Sequence, residues 1–288
     1  AGFYFCPFQE SKVLTLNKWI IFHADDFNLT PGVNKGIVEA YKNGVVRSTS
    51  IMPNIPNFDE SVELLNENPG LDVGVHINLT FGRPVSDPSE VPALVDDSGI
   101  FWRRPALLAD VADFEEMKKE ILRQMDICLD AGLKPTHIDT HHHLHRSDPR
   151  ALEILCELAV EHRMAVRSVN QEMRDYISKK GIPTPDNFNG DFYNFDNVTI
   201  ESLERVIKTA PDGFSEIMCH PGMSDDELMD ISTYNKCREA EIKTLCHPRI
   251  WQAIQDREAR LISYLELLEF FPGYERHHKS GNGNKEKF

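Results

Sequence analysis

Short apolar runs of strand length alternate with helical patterns from Trp19 to Tyr264, and three of the runs end in side chains able to bind a metal. Trp19-Ile20-Ile21-Phe22-His23-Ala24 closes in Asp25-Asp26, and Leu71-Asp72-Val73-Gly74-Val75 leads into His76. Thr136-His137-Ile138-Asp139-Thr140-His141 runs on into His142-His143-Leu144-His145. Buried strands of a parallel sheet read as near-continuous apolar runs, and α/β folds build their sites at the C-terminal strand ends. Each feature alone has a plainer reading. Adjacent aspartates often cap helices, a single histidine is usually hydrogen-bonded in a core, and a His-rich stretch is often a surface loop. Three strands bringing metal-compatible groups to one edge outweigh those readings.

In an extended segment alternate side chains share a face, so His137, Asp139 and His141 are expected to point the same way. Asp25 and Asp26 are neighbours and face opposite ways unless the chain bends. A turn through Phe27 and Asn28 is expected to supply the bend.

Strand patterns fall at residues 19–24, 45–52, 71–78, 136–141, 165–169, 215–219 and 260–264, about seven in all. Thr30-Pro31 opens a helix that Asn43-Gly44 stops. Further helices are expected at 59–66, 114–131, 149–163, 200–209 and 234–253, the last broken or kinked at Pro248. Asp225-Asp226-Glu227 reads as a solvated helix start. Residues 171–190, with Gly181, Pro183 and Pro185, read as a loop. Residues 82–105 are too long for an ordinary connection and are expected to form a rim or lid over the site. Such alternation gives a parallel sheet, either a barrel or an open doubly wound sheet. No glycine-rich phosphate loop follows the first strand, which weakens a nucleotide-binding reading.

The chain has 288 residues, ordinary for one barrel domain, and 41% hydrophobic residues suffice for a full core. Its net charge of −15 argues against nucleic acid and an anionic membrane surface as partners, and favours a neutral ligand such as a sugar. No apolar run approaches a membrane span. The six cysteines are scattered, and Cys128 and Cys156 fall in amphipathic helices as small core residues. This usage suggests a reducing, cytoplasmic setting. Residues 1–17 make a poor signal peptide and are expected to be an extension, 18–272 the domain, and 273–288 a polar, flexible tail.

Four motifs occur in order: His23-Ala24-Asp25-Asp26-Phe27, Gly74-Val75-His76-Ile77-Asn78-Leu79-Thr80, the run from Thr136 to His145, and Met218-Cys219-His220-Pro221-Gly222. With them the chain resembles the YdjC-like carbohydrate deacetylase family, which includes chitooligosaccharide deacetylases, over residues 18–270. The resemblance implies a deformed (β/α) barrel like that of other polysaccharide deacetylases, and metal-dependent removal of acetyl groups from N-acetylated sugars. By motif position it implies Asp26, His76 and His141 as ligands of one divalent ion, Mg or Zn, and Asp25 as catalytic base. Family members often carry Gly after Asp-Asp-Phe. Here Asn28 stands there, a residue that tolerates the left-handed conformation better than most.

Amide hydrolysis needs an activated water, stabilisation of an oxyanion and a proton for the leaving amine. One carboxylate with two imidazoles forms a site with positions open for water and substrate. His220, ending its own strand, is the candidate general acid or oxyanion partner, with a structural role as the alternative. His137 and Asp139 are candidates for orienting the ligands. Arg167 either binds substrate or pairs with an active-site carboxylate. Trp102, beside Phe101, either stacks on a sugar or packs the long loop onto the barrel. The expected partner is a small acetylated sugar or oligosaccharide; oligomeric state is open, a homodimer included. Two other functions fit a His/Asp site: metal-dependent phosphoester hydrolysis, and non-catalytic sugar binding on the same fold. A single metal triad and the acidic charge count against the first, and Asp25 beside Asp26 against the second.

Overall fold

Parallel pairing of the apolar runs builds the sheet. The strands are β1 (Lys18–Phe27), β2 (Ser48–Ile51), β3 (Asp72–Ile77), β4 (His137–Thr140), β5 (Ala165–Val166), β6 (Asn187–Asn189), β7 (Gly213–Cys219) and β8 (Arg260–Leu261). This computed structural model describes residues 17–274, so nearly all of the expected extension and tail lies outside the described residues. The order is β5-β4-β3-β2-β1-β7-β6, every pairing is parallel, and β8 adds a short pairing beside the start of β1. That is the expected set of strands plus β6.

The sheet curls into an incomplete barrel. His23 of β1 meets His137 of β4 at 2.6 Å, although three strand positions separate them in the sheet. Among the described residues β5 and β6 do not pair as strands. Val166 N–H to Pro183 O (3.0 Å) and Ser168 Oγ to Pro185 O (3.2 Å) bridge that seam. Gly74 makes the inner packing possible, because a Cβ there would lie 2.4 Å from the His137 ring.

Helices cover the outside. Thr30 caps Pro31–Asn43 by accepting from Val33 N–H, with Pro31 in the first turn. In Phe114–Asp130 the apolar stripe Met117, Ile121, Met125 and Cys128 is buried, as its spacing predicts. The same helix buries Glu120 and Gln124. Glu120 accepts from Val85 and Ser86 N–H, and Gln124 bonds both backbone groups of Asn78, which pins the chain just after β3.

One expectation needs correction, and one left open is decided. Residues 171–190 are not a loop throughout: Asn170 caps a helix Gln171–Lys179 that buries Met173 and Ile177, and β6 follows as an edge strand on β7. Only two buried apolar positions one turn apart mark that helix, and the nearby prolines and glycine hide it. The 234–253 helix is broken into Lys236–Leu245 and Pro248–Asp256, because Pro248 starts a new helix capped by His247. The long segment 82–105 carries two single-turn helices, Pro88–Glu90 and Pro92–Leu94, and a bridge between Val95 and Phe101.

Candidate metal and active site

β1 delivers both aspartates by bending. Its pairing with β2 shifts register between Ala24 and Phe27, and Asp26 takes a left-handed backbone (φ 71°). The bend therefore begins at Asp26, one residue before the expected turn. Asn28 is also left-handed (φ 78°). Its side chain donates to Met52 O and Ile55 O and accepts from Ser61 Oγ, so Asn both tolerates the backbone and locks the turn.

Asp26 meets the two imidazoles implied for it. Its Oδ1 lies 3.0 Å from His141 Nδ1 and 3.4 Å from His76 Nε2. The three ligand atoms lie within 4.8 Å of one another. Asp26 Oδ1 and His76 Nε2 are buried and make no well-aligned hydrogen bond, an arrangement that costs free energy unless a cation lies between them. On its other side His76 Nδ1 lies 2.8 Å from Asp139 Oδ1. Donation to that carboxylate leaves Nε2 as the lone-pair nitrogen, the tautomer a metal requires. Without an ion, burial opposes protonation of His76, but the Asp139 charge and hydrogen bond, with the Asp26 carboxylate close by, raise its pKa to about 10. A divalent ion competes with that proton. The donor set fits the implied ion.

Asp26 Oδ2 is taken by Arg238 Nη2 at 2.6 Å. Burial opposes ionisation of Asp26; Arg238 and then His141 outweigh it and hold the carboxyl well below its ordinary value. Nothing in the sequence marked Arg238, which lies 212 residues from Asp26 in a polar helix, so only the fold brings the two together.

Asp25 faces a different set. Arg167 grips both its oxygens, Nη1 to Oδ2 at 2.8 Å and Nη2 to Oδ1 at 2.7 Å, and His23 Nδ1 lies 2.8 Å from Oδ1. Burial again opposes ionisation, and Arg167 with His23 more than offsets it, so Asp25 is held as a carboxylate. Arg167 is fully buried and also meets Asp139 at 2.6 Å and Glu216 at 2.7 Å. Of its two expected roles, the structure gives it the carboxylate partner, beneath the site and out of reach of substrate. His137 lies deeper still, stacked on Tyr264 and touching His23, with no contact to the trio. Asp139 thus fixes the ring of His76, and His137 reaches Asp25 only through His23.

His220 follows β7 with its Nε2 3.9 Å from Asp25 Oδ2, the oxygen that Arg167 Nη1 also holds at 2.8 Å. Burial pushes its pKa down to about 4. Its backbone N–H is held by buried Glu241, which also accepts from the Tyr234 hydroxyl. Tyr234 stacks on Tyr193 (4.2 Å between centroids), and both rings stand edge-on to His220. Tyr193 is 37% exposed and, with Asp26, His141, His220 and Arg103, lines a cavity of about 480 Å³. An adjoining space of about 500 Å³ reaches Asp25, His76, Gly190 and Met218.

Trp102 lies elsewhere. It packs against the core and its Nε1–H donates to Ala93 O at 3.3 Å, while Phe101 is buried. Alternation along the strand-like end of the loop turns Arg103, not Trp102, to the cavity. His142 and His143 adopt consecutive left-handed backbones (φ 53° and 51°), a strained pair that ends β4 and aims His141 at Asp26. His145 is buried against Thr140 Oγ1 at 2.6 Å. Tyr193 went unnoticed in the sequence because it sits in a segment whose edge strand was hidden.

Residues 19–256 match the family described as YdjC-like protein. A carbohydrate deacetylase of Thermoanaerobacter pseudethanolicus is 40% identical over 247 residues, covering 86% of this chain and 98% of the relative. Another, of Brevibacillus brevis, is 40% identical over 253 residues, covering 86% and 99%. A solved structure from Enterococcus faecalis V583, provisionally named a cellobiose-phosphate cleavage protein, shares 33% identity with a TM-score of 0.82, covering 87% of this chain and 99% of that one.

Proposed function

This chain belongs to the YdjC-like family, and from that premise we propose that it hydrolyses the acetyl amide of an N-acetylated carbohydrate, with one divalent ion held by Asp26, His76 and His141. The observation that carries the reading is the buried, unsatisfied pair Asp26 Oδ1 and His76 Nε2 beside His141 Nδ1. Held there, such an ion would supply Lewis acidity toward the acyl oxygen and water.

The chain's own residues do the proton work. Asp25 is kept ionised by Arg167 and His23 and takes a proton from water in the cavity. His220 is neutral near pH 7, so it must gain a proton before giving one to the leaving amine. Asp25 Oδ2, 3.9 Å from His220 Nε2, is the carboxylate within reach for that relay. Tyr193 offers an aromatic face to a sugar ring at the cavity wall. A reducing, cytoplasmic setting belongs to the same reading and is supported by free cysteines at 128, 156, 219, 237 and 246. Among the described residues no helix is long and apolar enough to cross a membrane.

The test is acetate release from a panel of N-acetylated oligosaccharides, with and without chelator, alongside phosphate release from p-nitrophenyl phosphate. Chelator-sensitive acetate release with no phosphate release is expected. Phosphate release without acetate would replace the reading with phosphoester hydrolysis.

A further inference from the structure

We propose that Arg238 is a positioning residue of the metal site, holding one oxygen of Asp26 so that the other alone is offered to an ion. The inference rests on the metal reading above. Arg238 lies on the helix Lys236–Leu245 and is only 3% exposed, where an arginine persists only with fixed partners. Its Nη2 donates to Asp26 Oδ2 at 2.6 Å and its Nε to Tyr234 O at 2.9 Å. Its own carbonyl accepts from Gly222 N–H at 3.3 Å, in the turn after His220. A Cβ on Gly222 would lie 3.0 Å from Arg238 Cδ, so this glycine lets the side chain pass close beneath the turn. One turn further on, Glu241 holds the backbone N–H of His220. The helix is thus tied to both sides of the site, and the guanidinium has little freedom.

Two effects of that guanidinium oppose each other. Its charge repels a cation, and its grip orients the carboxylate. Zn²⁺ prefers four ligands with nitrogen among them, so it gains most from one fixed oxygen beside two imidazoles. Ca²⁺ accepts six to eight oxygens and two-oxygen carboxylate binding, so it gains nothing from losing Oδ2 to an arginine. For Zn²⁺ orientation wins; for Ca²⁺ charge wins. Arg238 therefore biases the site toward the smaller, nitrogen-loving ion.

The experiment is calorimetric titration of Zn²⁺ and of Ca²⁺ into chelator-stripped wild type, Arg238→Met and Arg238→Lys, with melting curves on each. Loss of an outer partner of a ligand typically weakens binding about 10- to 100-fold, and that fall is expected for Zn²⁺ in Arg238→Met, with Ca²⁺ affinity unchanged or higher. Arg238→Lys keeps the charge and one donor and should fall between Arg238→Met and wild type. If Arg238→Met does not fold, the lysine variant decides alone: weaker Zn²⁺ binding at an intact melting temperature supports the role. Zn²⁺ affinity equal to or above wild type in a folded variant overturns it, as does an equal fall for both ions. A wild type that binds neither ion overturns this inference, and a parallel Mg²⁺ titration that also shows no binding overturns the metal reading itself.

Discussion

Asp139 Oδ1 lies 2.8 Å from His76 Nδ1, so a carboxylate on β4 fixes the ring of a histidine on β3 with its other nitrogen turned to Asp26. The neighbouring strands hold the pair in register, His76 opposite Asp139. Asp139→Asn should keep the hydrogen-bonding shape but lose the charge. Metal affinity should fall about 10- to 100-fold, measured by titration with a melting curve as the control for folding. Unchanged affinity would separate Asp139 from the metal site.

Asp25→Asn should lower turnover by a factor of about 10²–10⁴ while leaving metal stoichiometry intact, as for loss of a general base. The two aspartates face different partners, Arg167 for Asp25 and His76 with His141 for Asp26. Metal loss in Asp25→Asn would mean the two roles are interchanged.

Tyr193 and Trp102 should part company. Tyr193→Ala removes a ring from the cavity wall and should raise KM roughly two- to tenfold with little change in kcat, the pattern of lost uniform binding. Trp102→Ala removes a ring packed on the core and should lower the melting temperature with KM unchanged. The reverse result would return Trp102 to the sugar site.

Acid should destabilise the metal-free protein. Burial depresses the pKa of His220 and His143 to about 4, of His142 and His145 to about 3, and of His137 well below its usual value. Between their ordinary value near 6.5 and those lowered values the unfolded chain binds more protons, so stability is full above about pH 6.5 and falls as pH falls through the window. Burial raises Asp72 to about 6 and Glu241 to about 8, and Asp139 and Asp26 outweigh burial to raise His76 to about 10; these act in the opposite direction, but they are three groups against five. Melting temperatures recorded in chelator should decline from pH 7 to pH 5; a flat profile would show the histidines are not held neutral.

Much of this site could be read from strand ends. Asp25, Asp26, His76 and His141 each follow a run of buried strand residues, and parallel topology alone brings such ends to one rim. Thr30-Pro31 marked its helix because capping is local chemistry. Arg238, Glu241 and Tyr193 were not legible, since their roles come from contacts made across the barrel mouth and their local patterns are those of any polar helix or loop. For Trp102 the sequence left sugar stacking and loop packing both open, and only the folded contacts, with Phe101 buried and Trp102 packed partly on the core, decide for packing.

The central claim is that Asp26, His76 and His141 together hold one divalent ion. His141 is the ligand best suited to test it, because it lies past the end of β4 and is partly exposed, so its loss should spare the fold. Metal stoichiometry should be measured on chelator-stripped wild type and His141→Ala after dialysis against Zn²⁺ and, separately, Mg²⁺. One ion per chain is expected in wild type for at least one of the two metals, and strongly reduced occupancy of that metal in a His141→Ala variant that melts normally. Full occupancy in the variant, or no ion in the wild type, would contradict the account.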